Sequence, residues 1–143
     1  MIAERFEIER LIASGGMGHV YRAVDRLSGD RVALKVLHGS AARRPVRFER
    51  EIQALAELRH PAIVRYVASG VTGTGAPFLV MEWLEGVTLS ERLREGPLSI
   101  AEACALGSAL AAALAVVHEH GFIHRDLKPS NIFLVGGAVS VVT

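Results

Sequence analysis

The apolar pattern of this chain changes period once. In the front half, apolar residues alternate in short runs; from Thr88 onward they recur at helical spacing, and the changeover falls near Leu84 to Val87. Alternation sends successive side chains to opposite faces of a strand, whereas spacings of three and four line one side of a helix. A chain written this way folds as a strand-rich half followed by a helical half, an α+β arrangement.

Five strands are expected. Phe6 to Ala13, Val20 to Asp25 and Arg31 to Leu37 come first, the last two around the hairpin signal Ser28-Gly29-Asp30. Ile63 to Ala68 and Pro77 to Glu82 follow, parted by the glycine-rich loop Gly70 to Ala76. Between them Arg43 to Arg59 reads as a helix, with Phe48, Ile52, Leu55 and Leu58 on one side and Pro61 as its stop. The expectation is a five-stranded antiparallel sheet with one helix on a face. In the second half, Thr88-x-x-Glu91 and Ser99-x-x-Glu102 are capping boxes. The second opens a long helix carrying Leu106, Leu110, Leu114 and Val117, for which Gly121 is a stop.

Composition narrows the partners. Half of the 143 residues are apolar and 22% are charged, which fits a globular chain. A net charge of +1 argues against a nucleic-acid or membrane-surface role. One cysteine, Cys104, cannot form an internal disulfide, consistent with a reducing compartment. Glu4 and Arg5 break any signal peptide. The longest uncharged run, Ala103 to Val117, is shorter than the ~20 residues that span a bilayer and reads as a buried helix.

Four stretches carry chemistry. Ala13-Ser-Gly15-Gly16-Met-Gly18-His-Val20 sits between two strands. Glycines there let the backbone approach phosphate oxygens, and exposed N–H groups favour anions; a plain hairpin turn explains the glycines equally well. Val32-Ala33-Leu34-Lys35 puts Ala33 and Lys35 on one face of a strand. Lys35 is either solvated along its stem or an ammonium held over a phosphate by a carboxylate, with Glu51 as candidate. Phe78 to Gly86 links the halves, as a simple linker or as free backbone groups that read a flat heterocycle. His124-Arg-Asp126-Leu-Lys128-Pro-Ser-Asn131 is more specific. A carboxylate can receive a hydroxyl proton, a lysine can neutralise charge on a transferred phosphoryl group, and an asparagine offers magnesium an oxygen.

Together and in this order, these pieces resemble the protein kinase family, and the glycine loop and Asp126-x-Lys128 resemble its bacterial Ser/Thr members. The resemblance implies a kinase small lobe over residues 1–85 and the first helices and catalytic loop of the large lobe over 86–143. It implies Mg-ATP as phosphoryl donor and a protein Ser/Thr hydroxyl as acceptor. Ala13, Gly15, Gly16, Gly18 and Val20 would cover the nucleotide, and Ala33 would pack on the adenine. Lys35 would contact the α/β-phosphates and pair with Glu51. Met81 matches the gatekeeper, Glu82 and Leu84 the adenine-binding hinge, and Phe133 the floor of the adenine pocket. Asp126 would be the catalytic base, Lys128 the γ-phosphate contact and Asn131 a magnesium ligand.

There are two departures. Ala13 stands where the family has its first loop glycine. The family also places Asp-Phe-Gly shortly after the strand matching Val139 to Thr143, so the expectation is an incomplete large lobe. The helix from Ser99 to His120 would then expose its apolar face, and losing the chief metal ligand would leave the 143 residues alone weak as a catalyst. Beside the enzyme reading stands a second: an inactive fragment that binds nucleotide or a partner such as another kinase. A third is an inert product. The expected location is cytoplasmic, with any membrane anchor of a parent protein downstream.

Overall fold

The computed structural model describes residues 1–16, 18–38, 52, 56–124 and 126–136, together with the backbone of 138–141. The helix expected over Arg43 to Arg59, and Glu51 with it, lies mostly outside the described residues. The described chain divides into two compact units, one of Met1–Ala56 with Arg65–Trp83 and one of Glu57–Val64 with Leu84–Thr143. The sequence-based division at residue 85 has no counterpart for the short segment Glu57–Val64, which goes with the second unit.

The first unit is a five-stranded sheet. Its strands are β1 (Phe6–Gly15), β2 (Gly18–Asp25), β3 (Arg31–Leu37), β4 (Tyr66–Val71) and β5 (Pro77–Glu82). They lie in the order β1-β2-β3-β5-β4, every neighbouring pair antiparallel. Because cross-strand partners share a face, the register sorts the side chains. One face holds Ala23, Val32, Leu34, Val36, Phe78 and Val80, which close with Phe6 into a core where Leu34, Ala23 and Val80 are fully buried. Each such large apolar side chain contributes roughly 1.5–3 kcal/mol by leaving water. The Phe6 and Phe78 rings meet edge to face, centroids 6.1 Å apart.

One ion pair anchors the sheet's first edge. Arg5 donates to both oxygens of Asp25, through Nε at 2.8 Å and Nη2 at 2.6 Å, and the Leu27 N–H donates to the same carboxylate at 3.0 Å. Asp25 is 1% exposed. The Arg5 hydrogen bond holds its carboxyl below the usual carboxylate range, against the opposing effect of burial.

The strand expected over Ile63 to Ala68 begins instead at Tyr66. Ala62, Ile63 and Val64 are buried as a strand would be. Pro61 and Ala62 form a turn, in which the Ile63 N–H donates to the His60 carbonyl and the Ala62 N–H to His60 Nδ1.

The second unit holds β6 (Val87–Thr88), α1 (Leu89–Arg94), α2 (Ile100–Glu119), a 3-10 turn at Pro129–Asn131, β7 (Ile132–Val135) and β8 (Ala138–Val141). The last three strands form a second antiparallel sheet, β6-β7-β8. Both capping boxes are present: Thr88 accepts from the Glu91 N–H and Ser99 from the Glu102 N–H, and each glutamate reaches back to its cap's N–H. Those hydrogen bonds hold both carboxyls below the usual range. Arg92 ties the helices together, donating to the Gly96 carbonyl and to Glu102, both at 3.2 Å. Gly121 ends α2 with φ of 78°.

Burial of α2 falls short of a core helix. Ala113 and Val117 are its buried residues, and Ile100 is 86% exposed. With a mean hydropathy of 2.0 the helix is long and apolar enough to cross a membrane by length and composition alone.

Candidate active site

On the first unit, the register gathers the expected nucleotide residues on the face opposite the core. Val20 pairs with Ala13 on one side and Lys35 on the other, and Lys35 pairs with Leu79. The adjacent row runs through Ala33 and Met81 to Tyr66. Ala13, Val20, Ala33, Lys35 and Met81 therefore share one face. Val20, Ala33 and Lys35 are half-buried, and Met81 is 4% exposed. A half-buried lysine in such a row can keep its stem on apolar surface.

The glycines of the β1–β2 turn do different work. Gly15 pairs with Gly18 across the turn. A Cβ on Gly18 would lie 2.0 Å from the Val36 carbonyl oxygen, and its φ of 144° suits glycine alone. Gly18 is thus demanded by the close approach of β3. Gly15 and Gly16 have open space where a Cβ would go, so the fold does not require them.

At the end of β5, the Glu82 N–H donates to the Arg65 carbonyl at 3.0 Å, and the Glu82 carboxylate accepts from the Arg65 N–H at 2.7 Å. The Arg22 guanidinium lies 5.8 Å from the Trp83 ring centroid. Leu84, half-buried, opens the second unit.

On the second unit, Asp126, Lys128 and Asn131 converge. Lys128 Nζ donates to both Asp126 carboxylate oxygens at 2.8 Å. Asn131 Nδ2 donates to the Asp126 carbonyl at 2.9 Å and to its carboxylate at 3.0 Å. Two acceptors on one side fix the amide orientation, which leaves the Asn131 oxygen on the other side. The Asp126 N–H donates to the His124 carbonyl at 2.8 Å. Pro129 opens the 3-10 turn that brings Asn131 back over Asp126. Both partners of the ion pair keep nearly half of their side-chain surface exposed, at 47% for Asp126 and 44% for Lys128. Phe133, half-buried on β7, pairs with Thr88 on β6. Three structural residues lie beyond what the sequence pattern shows. A Cβ on Gly86 would lie 2.3 Å from the Leu134 carbonyl oxygen, and the Arg5–Asp25 pair joins residues twenty apart.

The profile of the protein kinase domain matches residues 6–141. The chain belongs to the protein kinase domain family. The serine/threonine-protein kinase pkn2 of Myxococcus xanthus is 44% identical over 133 residues, covering 91% of this chain and 16% of that protein. PknB of Mycobacterium tuberculosis is 41% identical over 141 residues, covering 93% of this chain and 22% of that protein. The crystal structure of the M. tuberculosis PknI kinase domain superposes with a TM-score of 0.89 at 27% identity, covering 99% of this chain and 58% of that one. The curated relatives are thus bacterial serine/threonine kinases several times longer than this chain. The five-stranded sheet is the family's small-lobe sheet, and α2, despite its hydropathy, lies within the residues matched to the kinase domain.

Proposed function

We propose that this chain carries the nucleotide-binding face and catalytic loop of a protein kinase that moves the γ-phosphoryl group of ATP to a Ser or Thr hydroxyl of a protein. The observation that carries this reading is the hydrogen-bonded set Asp126, Lys128 and Asn131.

Phosphoryl transfer asks the protein mainly for positioning and charge stabilisation. Asn131 holds Asp126 by its carbonyl and its carboxylate, so the acid group is oriented before an acceptor arrives. Asp126 accepts the hydroxyl proton as the oxygen attacks the γ-phosphorus and the bond to the β-phosphate oxygen breaks, with ADP leaving. Lys128, now on both Asp126 oxygens, supplies a cation for charge gathering on the phosphoryl oxygens. On the sheet, Lys35 takes the α/β-phosphates, while Val20, Ala33, Met81 and the backbone of Glu82 hold the adenine. Gly15, Gly16 and Gly18, with Ala13 at the start of the turn, let the backbone close on the phosphates.

Magnesium fits the donor chemistry in part. The Asn131 amide oxygen is a hard donor, as magnesium prefers. Among the described residues no group of three His, Cys, Asp or Glu side chains could hold a metal, so phosphate oxygens and water would fill most of its shell. When bound, magnesium neutralises phosphate charge.

The test is transfer of labelled γ-phosphate to casein by the chain and by Asp126→Asn. Removing the base should lower the rate by about 10²–10⁴-fold. A variant that transfers as fast as the parent sinks the assignment.

A further inference from the structure

Two histidines lie across the sheet from the nucleotide face. His19 on β2 pairs with Val36 on β3, and His38 follows Val36 by two residues. Alternation therefore puts both imidazoles on one side, as diagonal neighbours. Their ring centroids are 4.5 Å apart with planes at 75°, and the Tyr21 ring flanks His19 at 6.1 Å. His19 Nδ1 and His38 Nε2 are both buried, and neither has a hydrogen-bond partner among the described residues.

Buried polar atoms are nearly always satisfied, so an orphaned one points to a missing partner. Here two occur side by side, both on imidazoles, the commonest metal ligands in proteins. Rings this close can direct one nitrogen each at a shared ion, given nitrogen–zinc distances of about 2.0–2.1 Å.

We propose that His19 and His38 form a two-histidine site for a divalent transition cation of the zinc class. Water completes the shell, because no third His, Cys, Asp or Glu joins them among the described residues. Imidazole suits zinc, copper or nickel, while magnesium prefers oxygen, so the site is distinct in chemistry from one that serves phosphate. His19 directly follows Gly18, and Val20 next to it faces the nucleotide side. A bound ion would tie the start of β2 to the end of β3 at the foot of the glycine turn without touching that side.

The experiment is calorimetric titration of the 143-residue chain with zinc chloride in excess magnesium, beside His19→Gln, His38→Gln and the control His118→Gln/His120→Gln. The parent and the control should bind one zinc ion that both single variants lose. Equal stoichiometry and affinity in all four proteins, or loss in the control alone, overturns the site. Should either variant unfold by circular dichroism, the ring-nitrogen resonances of the parent decide. His19 and His38 must both shift on adding zinc, and two unmoved rings end the proposal.

Discussion

The sheet face and the Asp126 loop reach their geometry by different means. On the sheet, position comes from register: Ala13, Val20, Lys35 and Leu79 form one row because four strands pair residue by residue. A slip of one residue would send the whole row into the core. In the loop, position comes from side-chain hydrogen bonds spanning five residues, with the acid and lysine about half exposed. The sheet site is therefore as robust as the core behind it, while the loop site depends on its own few bonds. Damage to the pairing or core of the sheet should cost stability and binding together, damage to a side chain on its outer face should cost binding, and damage to the loop should cost chemistry alone.

The largest expected effect separates binding from folding. Lys35→Met keeps the apolar stem and removes the charge, so ATP binding should fall below detection in calorimetry while the thermal midpoint holds. Next is the ion pair at the sheet edge. Asp25→Ala leaves Arg5 without its buried partner and should cost on the order of 3 kcal/mol in urea unfolding. Because the Asp25 carboxyl is depressed in the folded state, its contribution is complete above the unfolded carboxylate value of about 3.9. It is lost as pH falls through the lower folded value. Acid unfolding of the parent should show this loss, and Asp25→Ala should lack it.

The glycine turn sharpens the comparison at smaller cost. Gly18→Ala meets the Val36 carbonyl and should destabilise the sheet by roughly 1–3 kcal/mol, whereas Gly15→Ala has open space and should alter ATP affinity more than the midpoint. Equal destabilisation by both would contradict the division of labour drawn for these glycines. Smallest are the helix caps: Thr88→Ala and Ser99→Ala should each cost about 1 kcal/mol, with no effect on ATP affinity.

Legibility followed the range over which each feature is encoded. The capping boxes were readable because cap and partner lie three residues apart. β3 and β5 were readable to the residue because their alternation is bounded by turn residues. β1 and β2 run further into the glycine turn than expected, since glycine carries no side chain to show the alternation. The His60–Ile63 turn defeated the reading because its apolar residues are buried like a strand's while their backbone bonds are a turn's. β6 is two residues long, too short for any period to show. The loop residues could be named from their spacing, but the bonds that join them, and the Arg5–Asp25 pair, form only when the chain folds.

The central claim is that the two regions carry separable roles. Calorimetric titration of ATP into the parent and Asp126→Asn tests it most directly. The account predicts equal affinity, with the loss confined to the transfer rate. An Asp126→Asn protein that loses ATP affinity as Lys35→Met does would contradict it.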